Sequence, residues 1–355
     1  MAGAASQPAR RRRLVVVLLP MAVVLVLAVF LAGTFGTVAL SLPDVARMTL
    51  DRFTPLDLEQ TWRPADETIF FQIRLPRVIG GGLIGAALAV AGALFQGLLR
   101  NPLADPYIIG TSSGAALGAT IAMVLPINPG VLGFGPVPLA AFAGALGAVF
   151  LVYNLARVGG RTPIVSMLLA GFVVSALLAA IISFLMALGD RIDLNIRSVY
   201  SFLMGHVSVV GWGQLVLVAP LVLLGVVASR FFAYHLNAFA RGEEGAAYVG
   251  VEVERDKVII LALGSLLTAA AVSIGGLIGF VGLVVPHAVR LVAGPDHRLL
   301  LPAAALAGAI FVVLADLLAR VVLAPSEIPV GIVTAVIGAP FFLYLLRRNR
   351  KEYAF

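Results

Sequence analysis

The run RRRRLVVVLLPMAVVLVLAVFLAGTFGTVAL (residues 10–40) sets four consecutive arginines against 27 residues without a charge. A secretory signal peptide shares the basic start, but its apolar core is only about 7–15 residues long. The run therefore reads as a retained first membrane helix, long enough for the roughly 20 residues that cross a hydrocarbon core. The same signature recurs near residues 75–98, 107–126, 137–157, 163–188, 212–232, 258–274, 276–293, 299–323 and 329–347. Only Gly275 and Gly276 mark the break between the seventh and eighth spans.

Composition agrees with the pattern. Of 355 residues, 61% are hydrophobic and 12% charged, against about 25% charged in an ordinary soluble domain. A soluble exterior cannot be built from so little polar surface, so a cytosolic enzyme, a disordered chain and a nucleic-acid-binding domain are excluded. The net charge of +7 sits at the ends of apolar runs, as membrane topology requires, and not on a phosphate-binding face. The absence of cysteine excludes disulfides, thiolate metal sites and cysteine nucleophiles.

Ten spans place both termini on one side. With the termini inside, 17 of the 25 Lys and Arg residues lie inside; the other 8 (Arg47, Arg52, Arg63, Arg74, Arg77, Arg191, Arg197 and Arg320) lie outside. This excess is the positive-inside bias. The fold class is an all-α polytopic membrane protein with about ten transmembrane helices, both termini cytoplasmic and a possible inverted repeat. The repeat rests on a shift of 184 residues, which aligns Gly92, Leu99 and Pro102 with Gly276, Leu283 and Pro286; inverted repeats are common in transporters. The whole chain is one permease-like domain, with a cytoplasmic tail at 1–13, an outer hydrophilic segment at 41–73 and an inner one at 236–257. The inner segment, LNAFARGEEGAAYVGVEVERDK, exceeds a simple helix–helix turn of about 2–8 residues. Gly242, Gly245 and Gly250 divide it into short helices suited to receiving a soluble partner.

Chemical motifs are few. Gly80, Gly82 and Gly85 match G-x-G-x-x-G, but that fingerprint needs a preceding strand and here lies inside an apolar span. Gly81 with Gly85, and Gly110 with Gly114 and Gly118, instead read as small residues for helix packing. Neither of the two lysines, Lys257 and Lys351, completes a G-x-x-x-x-G-K-[ST] phosphate loop, so any ATP hydrolysis belongs to another subunit. Asp316 is the acidic residue inside an apolar span, four residues before Arg320 and able to pair with it on one helix face. No two histidines share a metal-binding spacing. His287 reads as a histidine satisfied by backbone, so no metal site and no catalytic residue are assigned.

Beyond these readings, IRLPR (73–77), GALFQGLLRNPLADP (92–106), GFVGLVVPHAVRL (279–291), GPDHRLLLP (294–302), ADLLAR (315–320) and EIPVGIVTAVIGAPFFLYLL (327–346) resemble the permease subunits of ABC importers for iron–siderophores, haem and vitamin B12, the type II importers. The resemblance runs from about residue 40 to 348. It implies a homodimer on two ATP-binding subunits, which use ATP and Mg²⁺ while this chain holds no cofactor. It also implies a periplasmic or lipid-anchored substrate-binding protein above, and a bacterial inner membrane. By motif position the binding protein meets Arg74, Arg77 and Arg320, expected at the outer rim. The ATPase meets the coupling segment through Asn237, Arg241, Gly242, Glu243, Glu244, Gly250 and Arg255. Substrate-pocket residues are not assigned. The sequence departs from the family pattern at Phe202, where tryptophan is usual, at Ile164 and Val165, where small polar gate residues are expected, and at GGLIGF (275–280) in place of G-P-I-G-F. Two other readings compete: a secondary transporter driven by protons through Asp316, and a membrane scaffold without transport.

Overall fold

A computed structural model describes residues 7–38, 40–55, 59–125, 135–192 and 194–348; residues 1–6 of the tail therefore lie outside the described residues. The chain is a bundle of helices: α1 (Gln7–Thr34), α2 (Leu42–Phe53), α3 (Pro64–Thr68), α4 (Leu75–Leu98), α5 (Thr111–Val124), α6 (Pro136–Ala156), α7 (Ile164–Ala187), α8 (Ile196–Met204), α9 (Gly213–Ser229), α10 (Ala233–Phe239), α11 (Glu243–Tyr248), α12 (Val253–Gly275), α13 (Val281–Ala293), α14 (His297–Val321) and α15 (Val330–Arg348). Among the described residues the only extended pairing is a bridge between Val158 and Arg161.

Among the described residues, seven helical stretches are long and apolar enough to cross a membrane, and α5, α13 and α15 are shorter apolar helices. Together they occupy the ten expected spans. Helix α1 stops at Thr34 and not near Leu40. Nor is the outer segment a plain loop. Helix α2, Trp62 and a π-helical turn over Ile69–Arg74 close over a small core of their own, formed by Leu40, Val45, Met48, Trp62, Phe70 and Phe71, while α3 leads into the turn with no buried residue.

Helix α4 is the axis of the bundle: every residue from Ala87 to Leu98 is buried, and α14, α12, α13, α9 and α1 pack around it. Glycine makes this approach possible. A Cβ on Gly85 would lie 2.0 Å from the Gly308 carbonyl oxygen on α14, and one on Gly92 would lie 1.8 Å from the Gly282 oxygen on α13. On a second seam, a Cβ on Gly114 would meet the Gly144 oxygen at 2.3 Å, and one on Gly118 the Ala140 oxygen at 2.1 Å. Packing is thus the role of Gly85, Gly114 and Gly118. It is not the role of Gly81, whose nearest neighbours are 3.9 Å away, nor of Gly110, which has φ +86° and caps the turn before α5.

Helices α5 and α13 have 14 and 13 residues, about 20 Å at 1.5 Å per residue, short of a core of about 30 Å. Each is preceded by irregular backbone: a 3₁₀ turn over Pro106–Ile109 and a non-helical stretch over 276–280. The eighth span therefore starts at Val281 and not at Gly276, because Gly276 (φ +60°) and Phe280 (φ +68°) leave the helical region. Non-helical backbone at membrane depth survives only where protein satisfies it. Here Leu277 N donates to the Phe202 carbonyl at 3.0 Å, and the Tyr107 hydroxyl donates to the Ile278 carbonyl at 3.1 Å. Pro286, inside α13, has no N–H to give the carbonyl of Gly282. Buried Gln96 supplies one, with Nε2 3.4 Å from the Gly282 oxygen and 3.1 Å from that of Leu283. The aligned prolines of the 184-residue shift stand in different settings, Pro102 in a turn and Pro286 within a helix.

Replacing Gly85 by leucine should cost about 3 kcal/mol or more, because the carbonyl it meets cannot move aside. Gly82→Ala, whose nearest neighbour is 3.7 Å away, should leave the thermal unfolding midpoint of the detergent-purified protein unchanged. Equal midpoints for the two variants would contradict the packing described.

Candidate functional site

Polar chemistry concentrates at the two ends of the bundle. At the outer end, Arg74 Nη1 donates to the carbonyl oxygens of Thr34 (2.6 Å) and Gly33 (3.3 Å), and its Nη2 donates to that of Val38. Arg320 Nη2 donates to Ala32 O at 2.9 Å and Nη1 to Phe35 O at 3.1 Å. The last carbonyls of a helix have no partner within it, and a cation there also meets the negative end of the helix dipole. Two guanidiniums therefore finish α1, which explains its stop at Thr34. Gly36 lies against both: a Cβ there would sit 3.0 Å from Arg74 Nη2 and 3.2 Å from Arg320 Nη1.

The same cluster continues through carboxylates. Arg320 Nε donates to Asp316 Oδ2 at 2.9 Å, while Arg77 Nε and Nη2 donate to Asp316 Oδ1 at 3.1 and 2.9 Å. Arg77 also grips Glu327 in a two-pronged pair at 3.1 and 2.9 Å, the stronger arrangement for a guanidinium and a carboxylate. His206 Nε2 lies 3.7 Å from Glu327 Oε2. Burial and the neighbouring Arg77 hold the His206 imidazole below its ordinary pKa, so it is neutral at pH 7. Burial alone would raise the pKa of Glu327, but the bonds and charge of Arg77 outweigh it and hold the carboxylate below its usual range. Three guanidiniums and two carboxylates leave a formal charge of +1.

This geometry corrects the expectation of three arginines on the rim. Arg74 and Arg320 are 6% and 4% exposed; only Arg77 keeps an edge open, with its side chain 16% exposed. Asp316 is 1% exposed and engages a guanidinium through each oxygen, so the expected pair with Arg320 is present and Arg77 joins it. The sequence reading missed Glu327 and His206, although Glu327 opens the quoted EIPVG run.

At the inner end, Gly242 (φ +94°) and Gly250 (φ +86°) bound α11, while Gly245 lies within it. Asn237 on α10 bridges to α14: its Nδ2 donates to Asp296 Oδ1 at 2.7 Å and its Oδ1 accepts from His297 N at 3.0 Å. Glu243 turns inward onto buried Lys257 at 2.8 Å, whereas Arg241 and Glu244 are exposed. Arg255 makes a solvent-exposed pair with Glu252 at 3.2 Å, an interaction worth little. Tyr248 is 90% exposed. The seven expected coupling residues thus divide into internal ties (Asn237, Glu243), helix breaks of positive φ (Gly242, Gly250) and outward groups (Arg241, Glu244, Arg255). Lys257 was missed; its being one of two lysines, placed at the mouth of an apolar span, was the available signal.

Elsewhere, His287 is buried within α13 and neither ring nitrogen has a hydrogen-bond partner, so the expected backbone partner is absent. At the departures from the family pattern, the Phe202 carbonyl serves Leu277 N, and Trp212 Nε1 donates to Phe71 O at 2.9 Å.

This bundle, with its central α4 and its short-helix inner segment, is that of the membrane permease component of an ABC transporter, a transport subunit that is not an enzyme. A solved metal-chelate type ABC transporter in an inward-facing conformation superposes with a TM-score of 0.79 at 30% identity, covering 94% of this chain and 99% of that one. The cobalamin import system permease protein BtuC of Halobacterium salinarum is 50% identical over 281 residues, 79% of this chain and 74% of that protein. The hemin transport system permease protein HmuU of Yersinia pestis is 41% identical over 285 residues, 80% of this chain and 84% of that protein. The FecCD transport family matches residues 24–348, and the chain belongs to that family.

Arg320→Met should cost about 3–5 kcal/mol of stability, since it strips two helix-end carbonyls and unbalances Asp316. Exposed Arg47→Ala should stay within about 0.5 kcal/mol of the parent. Chemical unfolding in detergent checks both, and equal losses would sink the assignment of Arg320 as an anchor.

Proposed function

We propose that this permease works as a homodimer in the bacterial inner membrane, seated on two ATP-binding subunits and fed from outside by a substrate-binding protein. The cargo is a cobalamin, haem or iron chelate carried inward. The observation that carries this reading is the 50% identity to a cobalamin import permease, supported by 41% identity to a hemin permease. ATP and Mg²⁺ belong to the partner, since the chain has no phosphate loop. The +1 cluster at the outer end favours an acidic docking surface. Arg77 is its direct contact, and Arg74 and Arg320 shape that surface from beneath. Below, Arg241, Glu244 and Tyr248 face the ATPase, with Gly242 and Gly250 setting the angle of α11. The proton-driven alternative loses support because both oxygens of Asp316 are held by arginines.

Affinity purification from native membranes in mild detergent should recover an ATPase subunit in roughly one-to-one ratio, with the co-purifying binding protein identifying the cargo. A lone oligomer that transports under a proton gradient without ATP would overturn the reading. Within the complex, Tyr248→Ala should weaken ATPase-subunit binding by about 2 kcal/mol, as loss of an interfacial anchor does, while leaving the melting point of the isolated permease unchanged.

A further inference from the structure

The first turn of α12 gathers charges that the docking reading does not use. Lys257 is 7% exposed and Asp256 likewise 7%. The Lys257 ammonium lies 2.8 Å from Glu243 Oε1 on α11 and 3.1 Å from Glu254 Oε1 on its own helix. The second oxygen of Glu254 accepts a hydrogen bond from the backbone N of Thr162 at 3.0 Å. Thr162 is itself buried and stands two residues before α7. Alongside, His235 Nδ1 on α10 lies 3.3 Å from Asp256 Oδ2. One buried cation and one carboxylate therefore join three segments distant in sequence: the inner helix α11, the start of α12 and the lead-in to α7.

The segments differ in how firmly they are otherwise held. Helix α12 is packed into the core, with an unbroken buried stretch from Leu267 to Gly275. Helix α7 has only four buried residues among its 24; it packs on α5, α6 and the Pro106–Ile109 turn, and its inner end is tied in addition through Thr162. Helix α11 is six residues long and flanked by glycines of positive φ, which lets it tilt. A buried ammonium with two carboxylate partners is costly to leave unpaired. Any displacement of α11 must therefore drag Lys257, lose its bond, or pass the displacement through Glu254 to Thr162.

We propose that Lys257 is the positioning residue that carries motion of α11 to the inner end of α7, through Glu254 and the Thr162 amide. This rests on the reading of α11 as the ATPase-facing element, but the latch itself is a property of the permease alone. Lys257 does not touch the partner or the cargo; it acts through the two glutamates.

Two measurements test this. In the detergent-purified permease, hydrogen exchange across residues 162–166 should speed up about tenfold in Lys257→Met and stay near the parent in Lys257→Arg. In vesicles holding the complete importer, Lys257→Met should keep ATP hydrolysis while the cargo moved per ATP falls about tenfold. Glu243→Gln should give a smaller loss, and the double variant should be no worse than Lys257→Met alone, the non-additivity of groups in one network. Unchanged exchange at 162–166, or additive losses in the double variant, would overturn the latch. A permease that transports in vesicles without any ATPase subunit, yet shows the rise at 162–166 in Lys257→Met, would leave the latch standing and sink the importer reading. Should Lys257→Met fail to fold, Glu243→Gln and Glu254→Gln carry the same test, the latter predicting the larger rise at 162–166.

Discussion

The constraint on which this structure depends is that backbone polar groups at membrane depth must find partners within the protein. Helix α1 ends with carbonyls that no residue of its own can satisfy, and two guanidiniums from α14 and the lead-in to α4 reach them. Because those guanidiniums are buried, they need carboxylates, and Asp316 answers one directly. Asp316 then takes a second guanidinium in Arg77, which takes Glu327. A chain of necessities beginning at one helix end thus fixes the relative placement of α1, α4, α14 and the loop before α15. The same logic governs the interior, where Gln96 and Tyr107 serve carbonyls of a proline-bearing helix and of the non-helical stretch before it.

The inner end obeys a different economy. Its ion pairs sit at the water boundary, where exposed pairs such as Arg255–Glu252 contribute little, and only those drawn beneath the surface hold elements together. Lys257 is such a case, and the neutral Asn237 adds a hydrogen-bonded tie from α10 to the start of α14. The neighbouring Arg241, Glu244 and Tyr248 remain open, so one short segment is anchored on one side and available on the other.

Much of the architecture was legible in the sequence. Ten apolar runs matched ten helical spans because hydrophobic length is a local property. Gly114 and Gly118 were legible as packing residues because their spacing is local too. What failed was whatever depends on partners far along the chain. Arg74 meets Thr34 across 40 residues and Arg320 meets Ala32 across 288, so counting charges in loops placed these two arginines on the rim when they lie beneath it. The start of α13 was misplaced because hydropathy cannot distinguish a buried irregular stretch from a helix. Among the coupling residues, the spacing of glycines marked the breaks at Gly242 and Gly250 but also one at Gly245, which lies within α11, and nothing local revealed that Glu243 turns inward and Glu244 outward.

The backbone contacts of α4 have a mechanical consequence. At Gly85 it is meshed with α14 and at Gly92 with α13, each time within a distance that admits no side chain. Such teeth cannot slip by a residue without collision, so α4, α13 and α14 form a stator that turns only as one body. Helix α7, with little of its surface enclosed, has a single such tooth, at Gly171, where a Cβ would lie 2.6 Å from the Ile108 carbonyl oxygen, so one backbone contact sets its register against the turn before α5.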